Sequence, residues 1–139
     1  MDDTDLPDDT DAPGDIVEHV SAFDFPATLA RVRAAIEAAG LTIFASIDHT
    51  EAAAKTGLAM APATVLLYGN PKGGTPLMLA APQVALDLPL RVLVRDDADG
   101  STRLSFHPVE PMLIRAGVPE DLAARLAPAQ RLLVEAIGG

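Results

Sequence analysis

Three short segments of the sequence carry side chains that could do chemistry. Asp48 and His49 come directly after an alternating apolar stretch, Lys72 lies within GNPKGGTP at 69–76, and Asp87 precedes a Leu-Pro pair. Carboxylates, imidazoles and amines are groups that proteins use to transfer protons and to hold anions. No catalytic residue is assigned from them, and together they define one candidate ligand-binding set: Asp48, His49, Gly69, Asn70, Lys72, Gly73, Gly74, Thr75 and Asp87.

The segment at 69–76 has two interpretations. In the first, Gly73 and Gly74 expose backbone amides, Thr75 begins a helix with a positive N-terminal end, and Lys72 adds a charge, so the segment holds an anion. In the second, the segment is a tight strand-to-helix turn in which the glycines serve backbone geometry. Both interpretations start the helix at Thr75, with Pro76 in its first turn. The GxxxxGK[ST] pattern of nucleotide-hydrolysing loops is absent.

Asp48 also has two interpretations. It could act with His49 as an acid–base pair, or it could cap a helix, because Glu51 three residues later completes a capping-box pattern. The other histidines, His19 and His107, lack the spacing of a metal site, and no nucleophile motif is present. The sequence therefore predicts neither a metal nor a cofactor.

The elements that must position these residues follow from hydrophobic periodicity. Alternating or continuous apolar stretches predict strands at 16–23, 41–47, 63–68, 90–95 and 102–106, the last two joined as a hairpin. Asp24 caps a first helix, and prolines open helices near 108 and 119, the last one divided by Pro128. The order predicts one α+β domain over 16–139, with a single mixed sheet of about five strands and helices packed mainly on one face.

The connection at 49–62 is long enough for a crossover between parallel strands. If strands 41–47 and 63–68 are parallel, their C-terminal ends share one edge of the sheet. Asp48 and His49 would then lie beside Lys72, and a following antiparallel strand would bring Asp87 to the same edge. The predicted site is therefore a shared one, in which Lys72 and the glycine amides face an anionic group.

Composition excludes several classes of function. The chain has 139 residues and a net charge of −10, but residues 1–15 hold a large part of the acid and no base, which predicts a disordered acidic tail. The absence of a basic excess argues against nucleic acid, and the absence of cysteine excludes thiol chemistry. No apolar run approaches the ~20 residues of a membrane span, and no secretory signal is visible, so a cytoplasmic protein is expected.

Three motifs resemble those of the domain of unknown function 302 family, in the family's order. They are Ile-Asp-His at 47–49, Gly-Asn-Pro-Lys at 69–72 with Gly-Thr-Pro-Leu-Met at 74–78, and Leu-Asp-Leu-Pro-Leu at 86–90. The resemblance covers residues 17–139 and implies an α+β fold without an established biochemical role. Pro111, inside the helix near 108, departs from the family pattern.

Two hypotheses from different classes follow. The first is a non-catalytic module that binds a small anionic ligand or a partner, and that forms a homodimer because helices on one face leave another face or an edge uncovered. The second is an enzyme that acts on a small acidic or phosphorylated substrate with Asp48, His49 and Lys72. The outward-facing Arg91, Arg95 and Arg103 either bind an anion or form a solvated face with Glu18 or the turn aspartates.

Overall fold

The structure is a computed structural model that describes residues 16–138, so the predicted tail at 1–15 lies outside the described residues. Its centre is one five-stranded sheet with the spatial order β1-β5-β4-β3-β2, in which all four strand pairs are antiparallel. The strands are β1 Val17–Val20, β2 Thr42–Asp48, β3 Ala63–Gly69, β4 Leu90–Asp96 and β5 Thr102–Phe106.

Six α-helices connect or follow these strands within 16–138, and short 3₁₀ turns at Pro82–Leu86 and Ala124–Leu126 complete the chain. The helices are α1 Phe25–Ala38, α2 His49–Ala54, α3 Pro71–Ala80, α4 Val109–Arg115, α5 Glu120–Ala123 and α6 Pro128–Gly138. None of these helices combines the length and the apolarity that a membrane span requires.

The hydrophobic core lies between one face of the sheet and the helices. Alternate strand residues such as Leu66 and Val92 are fully buried there against Val32 and Ile36 of α1 and Leu133 of α6. Tyr68 belongs to the same layer, and its hydroxyl donates a hydrogen bond to the Ala129 carbonyl at 2.9 Å. Burial raises the pKa of the Tyr68 phenol far above its ordinary value, because the charged phenolate is poorly solvated there.

Within residues 16–138, the opposite side of the sheet carries no helix of this core, and we call it the open face. Strand alternation and register place the following residues on it: Glu18, Ala45, Ile47, Val65, Leu67, Arg91, Leu93, Arg95, Arg103 and Ser105. The predicted α+β class, the single sheet of five strands and the packing of helices mainly on one face are confirmed.

The sheet is not mixed, and the predicted parallel arrangement of β2 and β3 is wrong. Thr42 pairs with Gly69 and Asp48 pairs with Thr64, so the two strands run in opposite directions. The connection at 49–62 contains only the short helix α2, which buries no residue and returns the chain beside β2 instead of crossing the sheet. A connection of this length permits either direction, and the pairing of apolar strands decides between them.

Several features predicted from residues close in the chain agree with the structure, in contrast to the predicted pairing of β2 and β3. Asp24 caps α1 by accepting a hydrogen bond from the Ala27 amide at 3.0 Å. The hairpin of β4 and β5 forms as predicted, and Pro128 begins α6 after the 3₁₀ turn at Ala124–Leu126, so the C-terminal helix is divided. Pro111 lies inside the seven-residue helix α4.

Candidate functional site

The segment GNPKGGTP is the start of a helix rather than a loop. Asn70 is the N-cap of α3, its side-chain oxygen accepts a hydrogen bond from the Lys72 amide at 3.0 Å, and Pro71 takes the first helical position. The predicted start, with Thr75 as the N-cap and Pro76 as the first helical residue, is therefore wrong by five residues. Asn-Pro and Thr-Pro both have the chemistry of a helix start, and the earlier pair begins the helix directly after β3.

This geometry uses the backbone amides that an anion would need. The amides of Gly73 and Gly74 both donate to the Asn70 carbonyl at 2.9 Å, and the Lys72 amide already donates to the Asn70 side chain. Pro71 has no amide hydrogen. The first turn of α3 therefore has no unused amide pointing at a ligand, and the predicted cradle for an anion is not formed.

The two helical glycines do not serve a special backbone conformation. Neither Gly73 nor Gly74 has a positive φ. Gly57, which lies just after α2, does have one, at +82°. A Cβ atom on Gly74 would lie 3.7 Å from a methyl carbon of Leu88, and one on Gly73 would lie 3.8 Å from Leu126, which are ordinary contact distances. Alanine would fit at either position, so the second interpretation of the segment does not explain these glycines either.

The space beside Gly74 is an apolar cavity of about 420 Å³, which we call the end cavity. Its walls come from β2, β3, the start of α3, the Leu-Pro pair before β4 and the turn before α6. The lining residues are Phe44, Leu67, Asn70, Pro71, Gly74, Thr75, Met78, Leu88, Pro89 and Leu126. Lys72 is exposed and is not among them.

Two of the sequence motifs do meet at the end cavity. Tyr68 pairs with Leu90, so the end of β3 lies beside the start of β4, and the Leu88–Pro89 peptide bond there is cis. Gly69 fits between the neighbouring strands, because a Cβ atom on it would lie 3.7 Å from Pro89 and 3.8 Å from the Phe44 ring. The expected proximity of GNPKGGTP and the Asp-Leu-Pro segment is therefore observed.

Asp48 and His49 do not join them. The antiparallel register places Asp48 at the opposite end of β2 from Thr42, which is the residue that pairs with Gly69. Thr42 and Asp48 are six positions apart along the strand, or about 20 Å. Asp48 is the N-cap of α2, where its carboxylate accepts a hydrogen bond from the Glu51 amide at 2.9 Å, as the capping interpretation predicted.

Asp87 lies near the end cavity but not in its wall. Asp87 instead lines two other cavities, together with His107 and Met112. The predicted site residues thus fall into three places: the α3 start, the α2 start, and the segment before β4. Within residues 16–138 no group of three acidic or histidine side chains could hold a metal ion.

The sequence did not point to the apolar residues of the end cavity. Phe44 lies at the register shift between Ile43 and Ala45 in β2 and is half exposed; the alternation of the strand places it on the opposite side from Ile43 and Ala45 in the sequence pattern. Leu126 is distant in the chain and reaches the cavity only through the packing of the C-terminal helices. No local pattern marks such a residue.

The arginines on the open face mostly form ion pairs. Arg95 and Arg103 contact the Glu18 carboxylate at 3.2 and 3.1 Å, and both also contact Asp97. The pKa of Glu18 is below its ordinary value, mainly because Arg103 and then Ser105 donate hydrogen bonds to its carboxylate. For these two arginines, the interpretation as a solvated, internally paired face agrees with the structure.

A single antiparallel sheet with one helical layer and an apolar cavity at its end defines the class of this protein, a small α+β domain. Among solved structures it is similar to an uncharacterised conserved DUF302 protein from Bacillus stearothermophilus, with a TM-score of 0.74 at 16% identity. The similarity covers 88% of this chain and 94% of that one, and it shows the shared fold.

The family model for the domain of unknown function DUF302 matches residues 17–138, so the chain belongs to this family. Among curated proteins, it is 36% identical over 80 residues to the fluoride-specific ion channel FluC 1 of Brucella suis biovar 1 (strain 1330). It is equally similar to the protein of that name from Brucella abortus biovar 1 (strain 9-941). The matches cover 58% of this chain but only 32% and 30% of those proteins, so the chain spans about a third of the length of these relatives.

Proposed function

We propose that this protein is a ligand-binding module whose site is the end cavity and whose ligand has an apolar body. The observation that carries the proposal is the presence of two adjacent glycines inside α3, where nothing in the backbone requires them. Glycine in a helix interior destabilises it by roughly 0.5–1 kcal/mol relative to alanine. Because Gly74 has no side chain, the wall of the end cavity is open at this position. This opening supports a role for Gly74 in admitting a ligand.

The lining defines the chemistry that the ligand needs. Phe44, Leu67, Met78 and Leu126 offer apolar contact, and a cavity with few polar groups favours a ligand that is mostly hydrocarbon or aromatic. Asn70 and Thr75 are the polar members of the wall, and the Thr75 hydroxyl makes no hydrogen bond within residues 16–138. A neutral ligand with one polar group fits this arrangement better than the anion expected from the sequence.

The curated relatives are consistent with a module. Their names describe fluoride-specific ion channels, and a segment similar to this chain makes up about a third of their length. A similar segment within those longer proteins suits a binding or interaction role beside their other parts. The channel activity in those names belongs to proteins of which the matched segment is the minor part.

Indole is a suitable probe of the end cavity, since it combines an aromatic body with one N–H donor. We expect indole to raise the melting temperature of the wild type, because a ligand that binds only the folded state stabilises it. A Gly74→Leu variant should lose this response, since the added side chain would occupy the cavity. Gly138→Leu places the same side chain in open space at the end of α6 and should respond like the wild type.

Gly74→Ala is a second variant for the case that Gly74→Leu does not fold. Its methyl group would make contacts at ordinary distances. Its response to indole should lie between those of the wild type and Gly74→Leu. Equal indole affinity in the wild type and Gly74→Leu, or no response to indole in the wild type, would contradict the proposal.

A second observation favours self-association. Strand β2 is an edge of the sheet, and five of its seven residues are exposed, with Asp48 its one charged residue. Natural edge strands are usually protected by lysine, proline or covering segments, and β2 has neither residue. We propose a homodimer in which β2 pairs antiparallel with β2 of a second copy, because such pairing is compatible with a two-fold axis.

Light scattering tests this homodimer directly. Phe44→Lys places a charge on the edge and should shift the wild-type dimer to monomer. Leu79→Lys, which changes an exposed apolar residue of α3 rather than of β2, should leave the mass unchanged. A monomeric wild type at high micromolar concentration would refute the homodimer without affecting the cavity proposal.

The enzyme hypothesis loses the residue set on which it depended. Asp48 and His49 lie about 20 Å along β2 from the strand end beside Lys72, too far for joint action on one small substrate. The structure offers no second grouping of these residues, so the module is the better-supported function.

A further inference from the structure

The open face has an apolar half and a charged half. Val65 and Leu93 are cross-strand partners in its centre, flanked by Ile47 on the edge strand and by Leu67 one row away. These side chains line a shallow cavity of about 360 Å³, separate from the end cavity except that Leu67 lines both. The sheet therefore carries a second apolar surface with its own boundary.

Arg91 stands at the border of this apolar half and differs from the other two arginines of the open face. Arg95 and Arg103 are each held by Glu18 and by turn aspartates at 3.1–3.2 Å. Arg91 is exposed, lines the cavity, and makes no hydrogen bond or ion pair with any residue in the described part of the chain. It pairs across the strands with Leu67, so its charge lies directly beside the apolar floor.

We propose that this cavity binds an amphipathic anion, with its carboxylate on Arg91 and its apolar chain over Val65, Leu67 and Leu93. A guanidinium can hold a carboxylate through two parallel hydrogen bonds, which suits a single unpaired arginine. The apolar floor supplies the remaining binding free energy through burial of the chain. This site shares Leu67 with the end cavity but is otherwise lined by different residues, and it takes the anion that the start of α3 does not accommodate.

The charges of the open face argue against a second copy of this chain as the occupant. A partner copy would have to offer a carboxylate to Arg91. The acidic groups beside the described open face are Glu18, Asp97 and Asp99, and all of them already contact arginines of their own chain. Asp87 lines an adjacent cavity with Arg91 but forms no ion pair with it, so the cation is available to an external anion.

Octanoate and 1-octanol are matched probes, because they share a chain length and differ in the charged head. Both can be titrated into the full-length protein, with binding followed by backbone amide shifts. We expect octanoate to bind more tightly than 1-octanol and to shift the amides of Val65, Leu67 and Leu93. Arg91→Gln should weaken octanoate about tenfold, as loss of a charge-assisted contact implies, and leave 1-octanol unchanged.

Three variants complete the design. Arg91→Lys should retain part of the preference for octanoate, and Arg125→Gln, an exposed arginine of the helical layer, should retain all of it. Gly74→Leu fills the end cavity and should not alter octanoate binding, so failure of the first proposal and failure of this one can be told apart.

The proposal is overturned by unchanged octanoate affinity in Arg91→Gln or by the absence of saturable octanoate binding. It is equally overturned if the amide shifts centre on Phe44, Met78 and Leu88, because octanoate would then occupy the end cavity. A change in oligomeric state on Arg91→Gln, without octanoate binding to the wild type, would instead assign the open face to a second copy.

Discussion

At each end of the β2–β3 pair a side-chain N-cap begins a helix, but only one of the two helices packs into the core. At one end Asn70 caps α3, which continues for ten residues and buries Leu77 in the core. At the other end Asp48 caps α2, a six-residue helix that buries nothing. Both caps accept a hydrogen bond from an amide two or three residues later, at 3.0 and 2.9 Å. The difference shows that a good helix start does not make a site; the cavity exists only where the helix packs.

The largest difference in stability between the two ends should come from a pair of leucine truncations. Leu77→Ala should lower the free energy of unfolding by about 2–5 kcal/mol, because the side chain is 1% exposed and its loss leaves a cavity. Leu58→Ala, just after α2, should change it by less than about 0.5 kcal/mol, since that side chain is 67% exposed. Urea denaturation measures both, and similar losses at the two ends would break the comparison.

Two glycine substitutions should act in opposite directions. Gly74→Ala should stabilise the protein by roughly 0.5–1 kcal/mol, because alanine is the better helix former and its methyl group has room. Gly57→Ala should destabilise it by roughly 1–2 kcal/mol, because its φ of +82° is strained for any residue with a side chain. Thermal unfolding of the two variants gives the signs, and destabilisation by Gly74→Ala would mean that the helix does need glycine there.

Removal of the helix caps should lower the free energy of unfolding by a smaller amount. The loss should be greater for the helix that packs more closely. Asn70→Ala should cost about 1 kcal/mol, a typical value for a lost cap on a packed helix. Asp48→Ala should cost less than about 0.5 kcal/mol, near the lower end for caps, because fraying of α2 exposes no core. Equal or reversed losses in denaturant titrations would show that the α2 end contributes more to the fold than its burial indicates.

Removal of the Glu18 carboxylate should have the smallest effect on stability. Its pH dependence distinguishes the ion-paired half of the open face from the two ends of the β2–β3 pair. The pKa of Glu18 is lowered in the folded state from an ordinary 4.5. Its stabilising contribution is therefore complete above the unfolded pKa and is lost as the pH falls through the lower, folded value. Glu18→Gln should lower the melting temperature by about 3 °C or less at pH 7, because such exposed pairs contribute little.

The difference between Glu18→Gln and the wild type should shrink as the pH falls below about 4.5, where the unfolded carboxylate becomes protonated, and should be lost once the pH passes the lower pKa of the folded state. Differential scanning calorimetry across that range measures the change. A gap that widens in acid would contradict the assignment of the lowered pKa to the arginine contacts.

The sequence by itself determined the features that depend on neighbours within a few residues. The caps at Asp24 and Asp48, the hairpin of β4 and β5 and the break at Pro128 all arise from contacts or backbone restrictions close along the chain. The family motifs likewise gave the α+β class. Even the error at the start of α3 was local, because Asn70-Pro71 and Thr75-Pro76 offer the same helix-start chemistry five residues apart.

Only the tertiary structure decided which motifs meet. The direction of β3 relative to β2 depends on backbone pairing between strands, and a connection such as 49–62 can join strands of either sense. That single choice separated Asp48 and His49 from Lys72 and left Asn70 beside Pro89. The end cavity needed one step more, because Phe44 and Leu126 are 82 residues apart and share a wall only when sheet and helices are packed together. Contacts between residues so distant in the chain leave no periodic pattern in the sequence, which is why packing alone could show them.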